Sequence, residues 1–292
     1  MDLQGQRMKW LILGASSFYA QEFGKLLQAK GESVEWTDPR WRLGWPLPLA
    51  DRDYIVNFCS KSLVAESWEK PEDWCMVNLE DTTTLIRQCL DMKLKRFVHV
   101  STPEVYGSTD TWVEENRLFM PTTPYAVSRA AGDMMMYAYH KAHGFPVIVT
   151  RTANIYGPGQ QRYRLIPTAT YRLMEGQKVE LHGRGLTRRS WIHIKDACEG
   201  LYRAAIYGDL GETYHISTNQ DTSVATVVAL ICKAMGKHFA QSTVNVPDRL
   251  GKDYAYLLDS HKLRKQTSWK DTISLETGIE EYVAWATTHH TK

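Results

Sequence analysis

Lys9-Trp10-Leu11-Ile12-Leu13-Gly14-Ala15-Ser16-Ser17-Phe18-Tyr19-Ala20 runs from an unbroken apolar stretch, through one glycine and three small residues, into a helical pattern that extends to Leu27. A short apolar run closed by Gly and followed by an amphipathic segment predicts a buried strand, a tight turn and a covering helix. The pattern recurs. Residues 33–36 read as a second strand, and 53–58, 96–100 and 146–150 as a third, fourth and fifth. Between them, 74–93 and 125–143 have helical length and spacing. Continuous apolar strands alternating with helices predict an α/β fold, a doubly wound parallel sheet covered on both faces. Ligands gather beyond the carboxyl ends of such strands. Gly14, Asp38, residues 59–62 and residues 101–104 all fall there.

The chain has 292 residues, 43% hydrophobic and 23% charged, the composition of a globular protein with a full core. Thirty-five Lys and Arg stand against 33 Asp and Glu, and a net charge of +2 points to no nucleic acid and no membrane surface. No apolar run approaches the ~18 residues a membrane span needs, and no secretory leader pattern opens the chain. The five cysteines are widely spaced, odd in number and without a CxxC pair, which predicts free thiols in a reducing compartment. The histidines form no metal-ligand pattern. The expectation is a cytoplasmic, metal-free protein.

From about Asn154 the texture changes to loops rich in Gly and Arg, with helices expected at 224–235 and 275–285. This gives a nucleotide-binding region, 1–153, and a smaller region, 154–292, with segments near 190–215 returning to the first. A smaller body laid over the sheet's open edge makes a cleft.

At the first turn only Gly14 survives of a G-x-x-G-x-x-G pattern, with Ser17 and Ala20 at the other places. Small residues there let the backbone and a helix N-terminus approach a pyrophosphate. Asp38 follows Gly14 by 38 − 14 = 24 residues, at the end of the second strand. A carboxylate there accepts from a ribose diol and repels a 2′-phosphate, so it favours NAD over NADP. The same residues also fit an ordinary strand–helix turn followed by a loop Asp.

Three further segments fix a resemblance. They are Ser101-Thr102-Pro103-Glu104-Val105-Tyr106-Gly107, Tyr125-Ala126-Val127-Ser128-Arg129 and Arg151-Thr152-Ala153-Asn154-Ile155-Tyr156-Gly157-Pro158. Their order and spacing resemble the extended short-chain dehydrogenase/reductase family, within it the dTDP-glucose 4,6-dehydratases and relatives acting on nucleoside-diphosphate sugars. The likeness continues through Leu165-Ile166-Pro167, residues 182–185, 189–196 and 211–214, and 248–256.

The resemblance implies a Rossmann-type fold and dehydration of a nucleoside-diphosphate hexose to a 4-keto-6-deoxy sugar, with tightly held NAD. It assigns Tyr125 to take the proton of the sugar 4-hydroxyl while hydride leaves C4. Thr102 would hydrogen-bond that hydroxyl, and Glu104 would remove the C5 proton as water departs from C6. Such a scheme calls for a tyrosine lowered toward neutrality by an adjacent cation, here Arg129. Cofactor contacts are implied for Gly14, Ser17, Phe18, Tyr19 and Asp38, for Phe58, Ser60 and Ile155, and for Tyr125 and Arg129. Substrate contacts are implied for Ser62, Thr102, Asn154 and Leu165. Arg164, Arg189 and Arg249 fall near the diphosphate, and His182 and Tyr256 against the sugar nucleotide. The family also forms homodimers, pairing the helices at 74–93 and 125–143 as a four-helix bundle.

Three departures are legible. The family's Tyr-x-x-x-Lys stands as Tyr125-x-x-x-Arg129, and a planar guanidinium does not place donors as an ammonium does. Pro103 occupies the place of an acidic residue and has no proton to give, so Glu104 would return its own proton to the leaving hydroxyl. Only 53 − 38 − 1 = 14 residues separate Asp38 from Asp53, too few for the usual strand and helix beside the adenine. The adenine pocket is therefore simplified, with Trp41 or Trp45 as its roof. The alternatives are another nucleotide-sugar enzyme (a 5,6-dehydratase, a 4-epimerase or a UDP-glucuronate decarboxylase) or a catalytically weak sugar-nucleotide-binding homologue.

Overall fold

A computed structural model describes residues 7–37, 45–47, 51–109, 111–248 and 253–289. Asp38, Trp41 and Arg249 lie outside the described residues.

Six parallel strands form the central sheet: β1 (Lys9–Leu13), β2 (Ser33–Trp36), β3 (Tyr54–Asn57), β4 (Arg96–Ser101), β5 (Val147–Thr152) and β6 (Thr213–Ile216), in the order β6-β5-β4-β3-β1-β2. Alternate residues of each strand face opposite helical layers. Trp10 and Ile12 pack with α1 (Phe18–Ala29) and a later helix at Ile194–Tyr207. Leu11 and Leu13 pack with α2 (Thr82–Cys89) and α3 (Pro124–His143). The sheet is thus covered on both faces, a Rossmann-type arrangement, and β2 and β6 are its edges among the described residues. The sixth strand comes from beyond residue 153: Thr213–Ile216 pairs with β5 at residues 149–152.

The expected single helix over 74–93 is instead composite. An α-helical turn (Pro71–Cys75) leads into a π segment (Met76–Asp81) and then α2. A π turn takes one residue more than an α turn and is common beside functional sites. Here it turns Asn78 inward. The Asn78 amide accepts from Lys61 N (2.9 Å), and donates to Lys61 O (3.1 Å) and Ser128 Oγ (2.9 Å).

The remaining chain builds a second apolar core from α4 (Leu165–Met174), the helices Val224–Ala234 and Leu275–Thr288, and the strand Val179–His182. A second sheet crosses between the two regions, ordering Thr222–Ser223, Arg188–Arg189, Ala255–Leu258 and Trp112–Val113. That sheet anchors the smaller region to the loop beyond β4.

Candidate active site

The carboxyl ends of β1, β3, β4 and β5 and the start of α4 open into one cavity of about 1400 Å³. A pocket for a single small ligand is typically ~300–1,000 Å³, so the space suits two.

Two helix N-termini face it. At the first, Gly14 (φ +86°) turns the chain from β1, and an added Cβ would sit 3.1 Å from Cys59 N and Phe58 C. Ser17 then caps α1 without a side-chain hydrogen bond, leaving first-turn N–H groups open toward the cavity. At the second, Arg164 occupies the cap position of α4, again with no side-chain cap, and its exposed guanidinium lines the same space. Uncapped N-termini with their dipoles are ready sites for phosphate oxygens.

Between them lies the reacting cluster. Thr102 caps the 3₁₀ turn Pro103–Tyr106, accepting from Glu104 N at 3.3 Å, while Pro103 supplies the fixed φ of the first helical position. That turn aims Glu104 into the cavity. Tyr125 is set by the N-terminus of α3, where Thr123 Oγ1 accepts from Ala126 N (3.2 Å) and Pro124 opens the helix. Arg129 follows one turn later, buried, its Nη2 donating to Val100 O while its Nε has no partner.

Burial raises the Glu104 carboxyl to about 7, with Asp253 adding to the rise and Arg189, Arg164 and Arg129 opposing it. Burial likewise pushes Tyr125 up to about 12; Glu104 adds to this, and Arg129 and a hydrogen bond with Thr102 oppose it. The expected lowering of the phenol therefore does not come from this chain's residues alone, because desolvation outweighs the Arg129 cation.

Most of the expected residues meet here. Gly14, Ser17, Phe18, Tyr19, Phe58, Ser60 and Ile155 line the cavity, as do Ser62, Asn154, Leu165 and Tyr256. Tyr256 Oη donates to Asn154 Oδ1 at 2.9 Å, which orients that amide with its NH2 group as donor. Tyr19 presents its ring, since its hydroxyl donates to Ala197 O at 2.9 Å.

Two expected contacts stand elsewhere. Arg189 does not line the cavity. Its guanidinium donates to the carbonyls of Arg188 (2.8 Å), Tyr254 (3.1 Å) and Asp253 (2.9 Å) and stacks 3.8 Å from the Tyr256 ring centroid. It braces the Asp253–Tyr256 segment. His182 Nδ1 donates to Pro247 O at 3.1 Å, in a turn off the cavity.

Sequence reasoning passed over Lys61, Gln160 and Asn78. Lys61 lines the cavity, pairs with Asp73 at 2.6 Å and lies 4.2 Å from the Trp74 ring centroid. Gln160 Nε2 donates to Ile155 O at 2.7 Å. Asn78 was detectable, as a polar residue on the helix face that carries Trp74 and Leu85.

The residues fit a dinucleotide. The glycine turn, at φ +86°, would hold a Cβ tightly at 3.1 Å from the Phe58–Cys59 backbone, the α1 N-terminus is uncapped, and the partnerless Arg129 Nε adjoins the cavity.

Residues 47–282 match the family model described as GDP-mannose 4,6 dehydratase. The chain belongs to that family. A dTDP-glucose 4,6-dehydratase of Streptomyces niveus is 36% identical over 239 residues, covering 81% of this chain and 70% of the relative. Among solved structures, DesIV, a dTDP-glucose 4,6-dehydratase of Streptomyces venezuelae crystallised with NAD, superposes with a TM-score of 0.90 at 29% identity over 97% of this chain and 98% of that one. A UDP-glucuronic acid 4-epimerase of Bacillus cereus shares the fold (TM-score 0.89, 22% identity, covering 97% and 100% of the two chains). The resemblance to extended short-chain dehydrogenase/reductases is borne out, as is the α/β fold.

Proposed function

We propose that the protein dehydrates a nucleoside-diphosphate hexose to its 4-keto-6-deoxy product, with NAD as cofactor. The observation that carries this reading is the convergence of Thr102, Glu104 and Tyr125 between two uncapped helix N-termini in one cavity. One N-terminus takes the cofactor pyrophosphate, with Gly14 and Ser17. The other, with Arg164, takes the sugar-nucleotide diphosphate, and the hexose spans the gap over Thr102 and Glu104.

When bound, NAD supplies a positively charged hydride acceptor that also returns the hydride. Tyr125 accepts the proton of the sugar 4-hydroxyl, which Thr102 orients. Arg129 stabilises the phenolate, its position fixed by the Val100 carbonyl. Once C4 is a ketone, the C5 proton is acidic, and Glu104 removes it. The C5 electron pair forms the C5–C6 double bond as the C6–O bond breaks. Pro103 cannot protonate the departing hydroxyl, so Glu104 gives up the proton it has just taken, and water leaves. The double bond then takes back the hydride at C6 and a proton at C5, which Glu104 relays from solvent, while Tyr125 releases the 4-hydroxyl proton to solvent. A carboxyl held near 7 by burial is matched to accepting and donating in turn. Glu104 favours elimination over a simple 4-epimerisation, which needs no base at C5.

A homodimer and a cytoplasmic setting complete the proposal. Val127 and Met134 lie seven residues apart on α3 with 48% and 60% exposure, and Met76 of the π segment that packs against α3 is exposed as well. These suit the expected four-helix bundle. Among the described residues no helix is long and apolar enough to cross a membrane.

Incubation with dTDP-, UDP-, GDP- and CDP-hexoses tests the activity. Loss of one water from at least one of them is expected, and retention of every sugar intact overturns the proposal. Light scattering tests the dimer: Val127→Asp with Met134→Lys yields monomers if the bundle forms.

A further inference from the structure

The segment between β2 and β3 contributes one aromatic side chain to the cavity. Trp45 lines it and is 53% exposed, whereas Leu47, two residues on, is buried against Leu11, Leu13, Leu85 and Ile86. Gln88 of α2 fastens this short piece at two points: Oε1 accepts from Leu47 N (2.7 Å), and Nε2 donates to Trp45 O (3.1 Å). The backbone of this piece is thus held by the Gln88 hydrogen bonds and a buried leucine, and Trp45 lines the cavity. Leu118 and Met120 are more exposed, yet neither lines that cavity.

Position within the cavity indicates the chemistry of the ligand. The reacting residues Thr102 and Tyr125 stand at the β4 side, and the uncapped α1 N-terminus stands at β1. A dinucleotide whose pyrophosphate lies at α1 and whose reactive ring reaches Tyr125 must send its other half the opposite way, toward Thr37 and the edge strand β2. Trp45 belongs to that side, because Leu47 shares an apolar cluster with Leu11 and Leu13 of β1, and residues 45–47 are the next described after Thr37 at the end of β2.

We infer that Trp45 is the stacking wall for the adenine of the bound dinucleotide, replacing by one indole on a pinned backbone the secondary structure for which the segment is too short. This inference rests on the NAD reading above. An aromatic face stacks on any purine, and the two-point Gln88 clamp orders the backbone that carries the indole before anything binds.

Calorimetric titration of the purified chain, dialysed free of nucleotide, with NAD, AMP and nicotinamide mononucleotide tests it. Trp45→Ala is expected to weaken AMP and NAD by about 10- to 100-fold, the range for loss of one base–aromatic stack. Nicotinamide mononucleotide binding should stay unchanged, and Trp45→Phe should keep most of the affinity. AMP should quench indole fluorescence in the parent chain more than in Trp45→Phe. Equal AMP affinity in Trp45→Ala and the parent overturns the assignment alone. A parent chain that binds neither NAD nor AMP overturns the cofactor reading with it. Circular dichroism spectra of the variants matching the parent's at the titration temperature exclude unfolding as the cause.

Discussion

Arg129 and Asp133 stand one helical turn apart and both are buried, but the Asp133 carboxylate is engaged by Arg151 (2.7 Å) and Ser101 (2.9 Å), while Arg129 bonds the Val100 carbonyl. Arg151 thereby compensates the carboxylate and leaves the Arg129 charge directed at Tyr125 and Glu104. A buried cation without an adjacent counter-ion is costly in general, and here it serves the phenolate that the proton transfer creates.

Arg129→Lys should therefore retain bound NAD and keep turnover within about tenfold, since the charge persists. Arg129→Met should lose at least ~100-fold, the scale on which a catalytic proton transfer depends on its supporting groups. Equal activity of the Lys and Met variants would remove Arg129 from the mechanism. Steady-state kinetics and released NAD per chain measure both.

Tyr125→Phe keeps the ring and removes the proton acceptor. Turnover should fall ~10²–10⁴-fold with nucleotide-sugar affinity unchanged. Near-normal activity would refute the role.

Glu104→Gln should still permit oxidation at C4, seen as absorbance at 340 nm, and then stall. Loss of water and solvent-deuterium exchange at C5 should fall together. In the parent chain, exchange at C5 should rise with pH through about 7, because only the ionised carboxylate accepts the proton. Asp253→Asn removes a like charge and should move that rise to lower pH. A rise centred near 4.5 in the parent would contradict the buried carboxyl.

The same carboxyl costs stability. Its raised folded-state pKa means that its stabilising contribution is present below its ordinary value of 4.5 and is lost as pH climbs through about 7. Glu104→Gln should thus gain in melting temperature over the parent between pH 5 and pH 8. No change in that difference across the range would count against the assignment.

Arg151→Met leaves Asp133 buried without its cation and should destabilise the fold by about 3–5 kcal/mol. Adding Asp133→Asn should recover part of the loss. Urea unfolding of the single and double variants separates the two effects.

Strands β1, β3, β4 and β5 were legible as mostly apolar runs ended by turn chemistry, and β2 as the short alternating stretch Ser33–Trp36. The strand Thr213–Ile216 was not legible as a strand, only as part of the segments near 190–215 returning to the first region. Polar Thr213 and His215 alternate there with Tyr214 and Ile216, far from the repeating strand–helix pattern. In the fold His215 is buried and hydrogen-bonded to Tyr106 Oη at 2.9 Å. The helix at 74–93 was legible as a helix, but nothing in its periodicity announced the π segment. Of the candidate residues, those on strand ends and helix starts fell at the cavity because the topology forces them there. Arg189 and His182 did not, because residue type does not say which way a side chain turns. The guanidinium of Arg189 is taken up by three backbone carbonyls.

The open first turns of α1 and α4 have one more consequence. Backbone N–H groups do not titrate, so their attraction for phosphates is the same at pH 6 and pH 8. Glu104 changes charge across that interval. Acidification should therefore produce an enzyme that stays loaded at both anchor points while its chemistry idles, and neutralisation should restart turnover without a new round of binding.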